Sequence, residues 1–198
     1  IDELRTLSQR YGIRKFEAVD NVLSLSAFNE FLPSLAHEDP GYRVFYETRI
    51  SLTRPQMELL SQAGVCWIQP GIENLHDSVL TLLNKGTSAI HNVRFLRWAC
   101  ELGMRVSWNF LAGAPGEHDS WYEDMAKWLP LIVHLEPPRN VIYIRYDRFS
   151  RYHQAPGDFG LDLVPRPAYA YIYPLAPEAL AELAYFFVDQ HDDLRGCP

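Results

Sequence analysis

Two short blocks carry the residues best suited to chemistry: Ile68-Gln69-Pro70-Gly71-Ile72-Glu73 and Asn109-Phe110-Leu111-Ala112-Gly113-Ala114-Pro115-Gly116-Glu117. Each sets a glycine and a glutamate where an apolar, β-prone run breaks open. Glycine there lets a ligand approach the backbone closely, and strand ends of this kind are where α/β enzymes bind ligands. Gln69 and Glu73 flank the first glycine. A carboxylate in that position can accept two ribose hydroxyls, or it can be a first-turn helix charge favoured by the helix dipole. Alternation along 43–51 puts Phe45, Glu47 and Arg49 on one face of a strand. Glu47 and Arg49 can hold an amino acid's ammonium and carboxylate, or form an ion pair inside a barrel, because an unpaired buried charge is costly. Asp20 and Asn21 end an earlier β-prone run; either can accept from an amine, and both are also ordinary turn residues.

These residues need elements to position them. Runs rich in Val, Ile, Phe, Tyr and Trp predict strands over 15–21, 43–51, 65–71, 105–112 and 141–147. Helices are expected between them. Thr53 and Pro55 open one that Gly64 stops, and Val79, Leu80, Leu82 and Leu83 give 77–84 an apolar spacing. Ser88 caps a helix with Val93, Leu96, Trp98 and Cys100 on its apolar face, ended by Gly103; Asp119 precedes another carrying Trp121, Met125, Trp128, Leu129 and Ile132. Such strand-helix repetition predicts an α/β fold with parallel strands and right-handed crossovers. From 148 onward the chain is irregular and rich in aromatic residues and proline, with a last helix from Pro177 whose apolar face is Ala179, Leu180, Leu183, Ala184, Phe186 and Phe187. We therefore divide the chain into a barrel part, 1–147, and an extension, 148–198, that covers it.

Composition narrows the function classes. A chain of 198 residues, 47% hydrophobic and 13% aromatic, can bury a full core. A net charge of −7 argues against nucleic acid as the main partner, which calls for clustered Lys and Arg. No stretch is apolar enough to span a bilayer. Cys66, Cys100 and Cys197 are widely spaced and give no disulfide framework, which points to the cytoplasm; Cys66 and Cys100 read as small buried hydrophobes. The seven histidines have no zinc-site spacing, and no phosphate-loop, dinucleotide-loop or hydrolase motif is present. The chain starts at Ile1 without an initiator Met, from which a longer parent polypeptide is expected.

The series Phe16, Asp20-Asn21, Tyr46-Glu47-Thr48-Arg49, Gln69-Pro70-Gly71-Ile72-Glu73, Asn84-Lys85-Gly86-Thr87, 108–117 and Asp147-Arg148-Phe149-Ser150 resembles radical SAM enzymes of the cobalamin-binding branch. More narrowly, it is similar to the maturation radical SAM proteins encoded beside ribosomally made peptide natural products. The resemblance implies a partial (β/α)6 TIM-like barrel that binds S-adenosylmethionine across its strand ends and modifies a ribosomal precursor peptide. By that resemblance Asp20-Asn21 stands where the family's Gly-Gly-Glu segment receives the methionyl amine. Glu47, Arg49, Gln69 and Glu73 match positions holding the methionyl carboxylate and the ribose. Leu111 to Gly113 matches the adenine-contacting strand, with Ile144 and Tyr146 on the next; Asn109 belongs to the same pocket.

The family also holds a [4Fe–4S] cluster on a three-cysteine loop, and this chain contains no such loop. The expectation is that the loop and any cobalamin domain lie upstream, that neither group is ligated by this chain, and that the chain alone is inert. Two other classes stand beside this one. A cofactor-free hydrolase would use Glu47, Glu73 or Glu117 as paired carboxylates in an empty cleft. A non-catalytic peptide-binding barrel module would fill its strand-end cavity with side chains.

Overall fold

The structure is a computed structural model that describes residues 1–20, 22–38 and 41–191. Its residues group into two compact units, 1–110 with 119–141 and 111–118 with 142–198.

The first unit begins with helix α1 (Asp2–Tyr11), strand β1 (Lys15–Glu17), helix α2 (Phe31–Glu38) and strand β2 (Arg43–Thr48). Helix α3 (Arg54–Gln62), strand β3 (Val65–Pro70), helices α4 (Asp77–Leu82) and α5 (Ala89–Glu101) and strand β4 (Arg105–Val106) follow. Strands β1 to β4 form one four-stranded parallel sheet in chain order. Parallel neighbours require crossovers, and helices α2, α3 and α5 provide them. Thr53 and Gln56 make the capping box of α3, with Pro55 in its first turn. Gly64 ends that connection at φ 81, where a Cβ would lie 2.3 Å from the Tyr42 carbonyl oxygen, so only glycine fits.

Register divides the sheet into two faces. Phe16, Val44 and Val65 align across it, as do Tyr46, Ile68 and Val106. These residues pack with Leu32, Leu35, Met57, Leu60, Phe95 and Leu96 from the helices into the main core. The opposite face carries Lys15 beside Arg43, then the row Glu17, Phe45, Trp67 and Arg105, then Glu47 beside Gln69. On α5 the buried residues are Asn92, Phe95, Leu96 and Ala99, a regular helical stripe. The stripe is rotated from the expected one: Trp98 is half-buried under the Arg94 guanidinium and Cys100 is exposed, not a buried hydrophobe.

The expected strand over 105–112 is interrupted after β4 and resumes as β5 (Asn109–Ala112). Helix α6 (Asp119–Trp128) leads to β6 (Asn140–Tyr143), which pairs with β5. Arg139 N donates to Trp108 O and Ile144 N to Ala112 O, so partners advance together along both chains, the parallel sense.

The second unit contains β7 (Tyr146–Asp147), α7 (Arg151–Gln154), β8 (Leu163–Pro165), α8 (Ala168–Ile172), α9 (Pro177–Leu183) and β9 (Phe186–Asp189). Two expectations are corrected here. The run over 141–147 is two strands, and β7 pairs antiparallel with β9 in a three-stranded sheet, order β7-β9-β8. The last helix stops at Leu183, so Phe186 and Phe187 lie on a strand. Aromatic and β-branched residues from 185 to 188 favour the pleated conformation. Arg148 secures the change by donating from Nε to Ala184 O at 2.6 Å and from Nη2 to Ala181 O. Tyr146, Tyr152, Ala184 and Phe187 form a small core.

Phe149 sits in the left-handed region at φ 69 with its ring 72% exposed. That conformation costs a side-chain-bearing residue about 1–2 kcal/mol, more than the roughly 0.5–1 kcal/mol of extra chain entropy that glycine loses on folding. Phe149→Gly therefore raises stability by about 0.5–1 kcal/mol, read as a higher urea midpoint at unchanged slope. A lower midpoint would mean that the ring anchors the segment.

Candidate functional site

The polar groups gather at the C-terminal ends of β2 and β3 and at the start of β5. Glu47 is half-buried on β2 and registered against Gln69 on β3, and its carbonyl accepts from Leu23 N at 2.9 Å. Arg49 lies one residue beyond β2 and is exposed. Gln69, Ser107, Trp108, Asn109, Arg139 and Asn140 line a polar cleft of about 360 Å³. Asn140 Nδ2 donates to Asn109 Oδ1 at 3.1 Å, which fixes the Asn109 amide at the start of β5.

Glu73 occupies the loop after β3, where several groups fix the backbone. Ile72 is fully buried, and its N–H donates to Pro70 O at 3.0 Å. Asn74 Oδ1 accepts from Leu75 N and His76 N at 2.8 and 2.9 Å. Asn92, fully buried on α5, donates both amide hydrogens, to Ile72 O and Asn74 O, each at 2.9 Å. Thr87 Oγ1 donates to Asn92 Oδ1 at 3.2 Å and completes the set. Held from both sides, Glu73 adopts φ 60, a conformation uncommon outside glycine and a recurrent trait of functional loops. Its Oε1 meets Lys85 Nζ at 2.8 Å. Glu73 is thus a positioned loop carboxylate outside any helix, since α4 starts only at Asp77.

Asn92 and Asn74 were not singled out by sequence reasoning. The signal for Asn92 was an amide, a poor helix former, on the buried stripe of an otherwise ordinary helix. Asp20 is exposed and lines a separate cleft of about 650 Å³ with Ser24, Ser26, Glu30, Ser34 and Tyr46. Burial raises the Tyr46 hydroxyl above its ordinary pKa, and the charge of Asp20 adds to the shift. Asn21 lies outside the described residues.

In the second unit, Gly113 takes φ 78 and its N–H donates to Glu117 Oε2 at 2.7 Å, closing the loop after β5. Leu111 is half-buried on β5, and Ile144 is half-buried just past β6. Tyr146 is buried on β7, edge-on to Tyr152 at 5.6 Å between ring centroids.

S-adenosylmethionine suits the first-unit groups by the chemistry of the donor set: carboxylates for an ammonium or ribose hydroxyls, amides for either sense of hydrogen bond. Among the described residues, no three His, Cys, Asp or Glu side chains come together as a metal site. Among the same residues, no helix is long and apolar enough to cross a membrane.

A parallel α/β sheet with amides and carboxylates at its strand ends is the architecture of enzymes that hold a cofactor across those ends. The chain belongs to the radical SAM superfamily, whose family description matches residues 1–129. No curated protein sequence matches it. Among solved structures it is similar to the radical S-adenosylmethionine methyltransferase TsrM from Kitasatospora setae, with tryptophan substrate and an S-adenosylmethionine analogue bound. That match has 21% identity and a TM-score of 0.60, over 73% of this chain and 29% of TsrM. It is similar also to the cobalamin-dependent S-adenosylmethionine radical enzyme OxsB with aqua-cobalamin bound, at 14% identity and a TM-score of 0.64, over 98% of this chain and 34% of OxsB. Coproporphyrinogen III oxidase (HemN) from Escherichia coli, described as a radical SAM enzyme, matches at 13% identity and a TM-score of 0.55, over 92% of this chain and 44% of HemN. The chain therefore spans about a third of the length of the first two, and the likeness establishes the fold.

Proposed function

We propose that the chain is the S-adenosylmethionine-binding part of a radical SAM enzyme that modifies a ribosomally synthesised peptide, with cobalamin as a further cofactor of the whole protein. The observation that carries the S-adenosylmethionine assignment is the constrained Glu73 carboxylate beside Gln69 and Glu47 at the ends of a parallel sheet. Glu73 accepts from the ribose hydroxyls, Gln69 and Asn109 position the ligand through their amides, and Glu47 receives the methionyl ammonium. When bound, S-adenosylmethionine would supply the radical chemistry for which the superfamily is named. The peptide assignment is supported by the ordered motif series from Phe16 to Ser150, and the cobalamin assignment by similarity to TsrM and OxsB. The paired-carboxylate hydrolase is disfavoured because Glu73 engages Lys85 and Glu117 engages Gly113 N.

The test is anaerobic incubation of the complete gene product with S-adenosylmethionine and a reductant, with and without the peptide encoded beside it. The expected result is an iron–sulfur absorption together with S-adenosylmethionine consumption that the peptide accelerates and a mass change in the peptide. Cluster and consumption without any peptide effect would remove the peptide substrate. Absence of both cluster and consumption would favour the non-catalytic binding module.

A further inference from the structure

The open face of the sheet carries a second cleft, at the opposite end of the strands from Glu47 and Gln69. Its volume is about 530 Å³, within the range of ligand pockets. Lys15, Arg43 and Arg105 supply its cations, Phe45 and Trp67 its floor, and Glu17 its one carboxylate. The Trp67 ring is held in place: its Nε1 donates to Ser107 Oγ at 2.7 Å, Phe45 packs on it at 4.7 Å, and the Arg105 and Arg139 guanidinium groups lie 4.8 and 5.8 Å from its centroid.

The cleft gathers three cations in a chain that is acidic as a whole. Acidic residues outnumber basic ones, 25 to 18, and Arg5, Arg54, Lys85, Arg97, Lys127 and Arg145 all pair with carboxylates. Among the described residues, Lys15, Arg43 and Arg105 form no ion pair. Lys15 and Arg43 are also direct register partners on neighbouring strands, an arrangement in which like charges destabilise the sheet. A sheet that places two cations opposite each other at the edge of an aromatic cleft is suited to an anion between them.

We propose that this cleft anchors an acidic side chain of the peptide substrate, an inference that rests on the peptide reading above. Successive rows on the open face are two residues apart along β2, Arg43 then Phe45, or about 6.6 Å. An extended peptide repeats same-side residues at that spacing, so a sequence of the form acidic-x-aromatic sets its carboxylate at Lys15 and Arg43 and its ring in the next row, beside Phe45, Trp67 and the Arg105 guanidinium. From Arg43 to Glu47 is about 13 Å along the strand, which places the anchor four extended residues from the cofactor row. Nucleic acid is a poorer occupant, because a chain of net charge −7 repels an extended polyanion.

The probe is a pentapeptide, acetyl-Ser-Glu-Ser-Phe-Ser-amide, titrated into the 15N-labelled chain while the Trp67 indole N–H signal, assigned with Trp67→Phe, is followed by NMR. A saturable shift is expected, with affinity reduced about tenfold by Arg43→Gln and by Lys15→Gln, each removing one charge-assisted contact. The counterpart peptide with Gln for Glu is expected to give no saturable shift, and Arg97→Gln, which alters a paired cation on α5, is expected to leave binding intact. Arg43→Gln should also leave the urea midpoint unchanged or raise it by relieving the repulsion from Lys15. Equal binding of the Gln peptide, unchanged affinity in both cleft variants, or a lowered midpoint in Arg43→Gln would overturn the proposal. So would inorganic phosphate competing more tightly than the peptide, which would make the cleft a phosphate site. No S-adenosylmethionine is present in this titration, so its failure leaves the cofactor reading standing, and failed S-adenosylmethionine consumption leaves this binding result standing.

Discussion

Asn92→Ala is expected to lower the stability of the chain by about 1–3 kcal/mol. The side chain is fully buried and donates to two carbonyls, Ile72 O and Asn74 O, on the loop that carries Glu73. Truncation removes both hydrogen bonds, each worth about 0.5–1.5 kcal/mol net, while Ile72 O keeps its bond from Asn74 N at 2.7 Å. Partial relaxation and entry of water keep the sum below the upper limit. Thr87 Oγ1 loses its acceptor as well, a smaller term because Thr87 is only half-buried. Asn92→Asp separates shape from hydrogen bonding: it preserves volume, removes two donors and places a carboxylate against two carbonyl oxygens, so it is expected to cost at least as much. Urea unfolding with a lowered midpoint and unchanged slope is the readout. If Asn92→Ala unfolds at the wild-type midpoint, the loop is held by its own turns and not by α5.

That residue also marks the limit of what the sequence conveyed. Gly64 and the Thr53-Pro55 pair fix the bounds of α3 through local chemistry, a capping box and a φ that only glycine tolerates, so they were legible without any tertiary information. The Gln69 to Glu73 block was legible for the same reason: an apolar strand breaks on proline and glycine. Asn92 could not be recognised in this way, because its partners lie 20 and 18 residues away along the chain. The cationic cleft was hidden by register. A shift between Val44 and Phe45 changes which β3 residue faces each β2 residue, and simple alternation does not reveal it. The tail was misjudged where two periods compete: Ala184 to Phe187 satisfies a helical apolar face and also a strand, and the Arg148 hydrogen bonds to Ala181 O and Ala184 O decide for the strand.

Glu73→Gly should separate stability from function. The wild-type residue holds φ 60, which disfavours a side chain and suits glycine. The substitution also removes the ion pair with Lys85, whose partners are 22% and 34% exposed, and such a partly solvated pair is worth about 1 kcal/mol or less. The two effects oppose each other, so the unfolding free energy should stay within about 1 kcal/mol of wild type. Ligand affinity has no such compensation. Loss of the carboxylate that we propose accepts from the ribose should weaken S-adenosylmethionine binding to the complete gene product by about 1–3 kcal/mol, roughly 5- to 150-fold by calorimetry. Lys85→Met supplies the control, since it breaks the same ion pair and leaves the carboxylate in place; its affinity should equal or exceed that of wild type. Equal loss of affinity in Lys85→Met and Glu73→Gly would show that the ion pair, not the Glu73 carboxylate, shapes the site, and unchanged affinity in Glu73→Gly would remove Glu73 from the S-adenosylmethionine pocket.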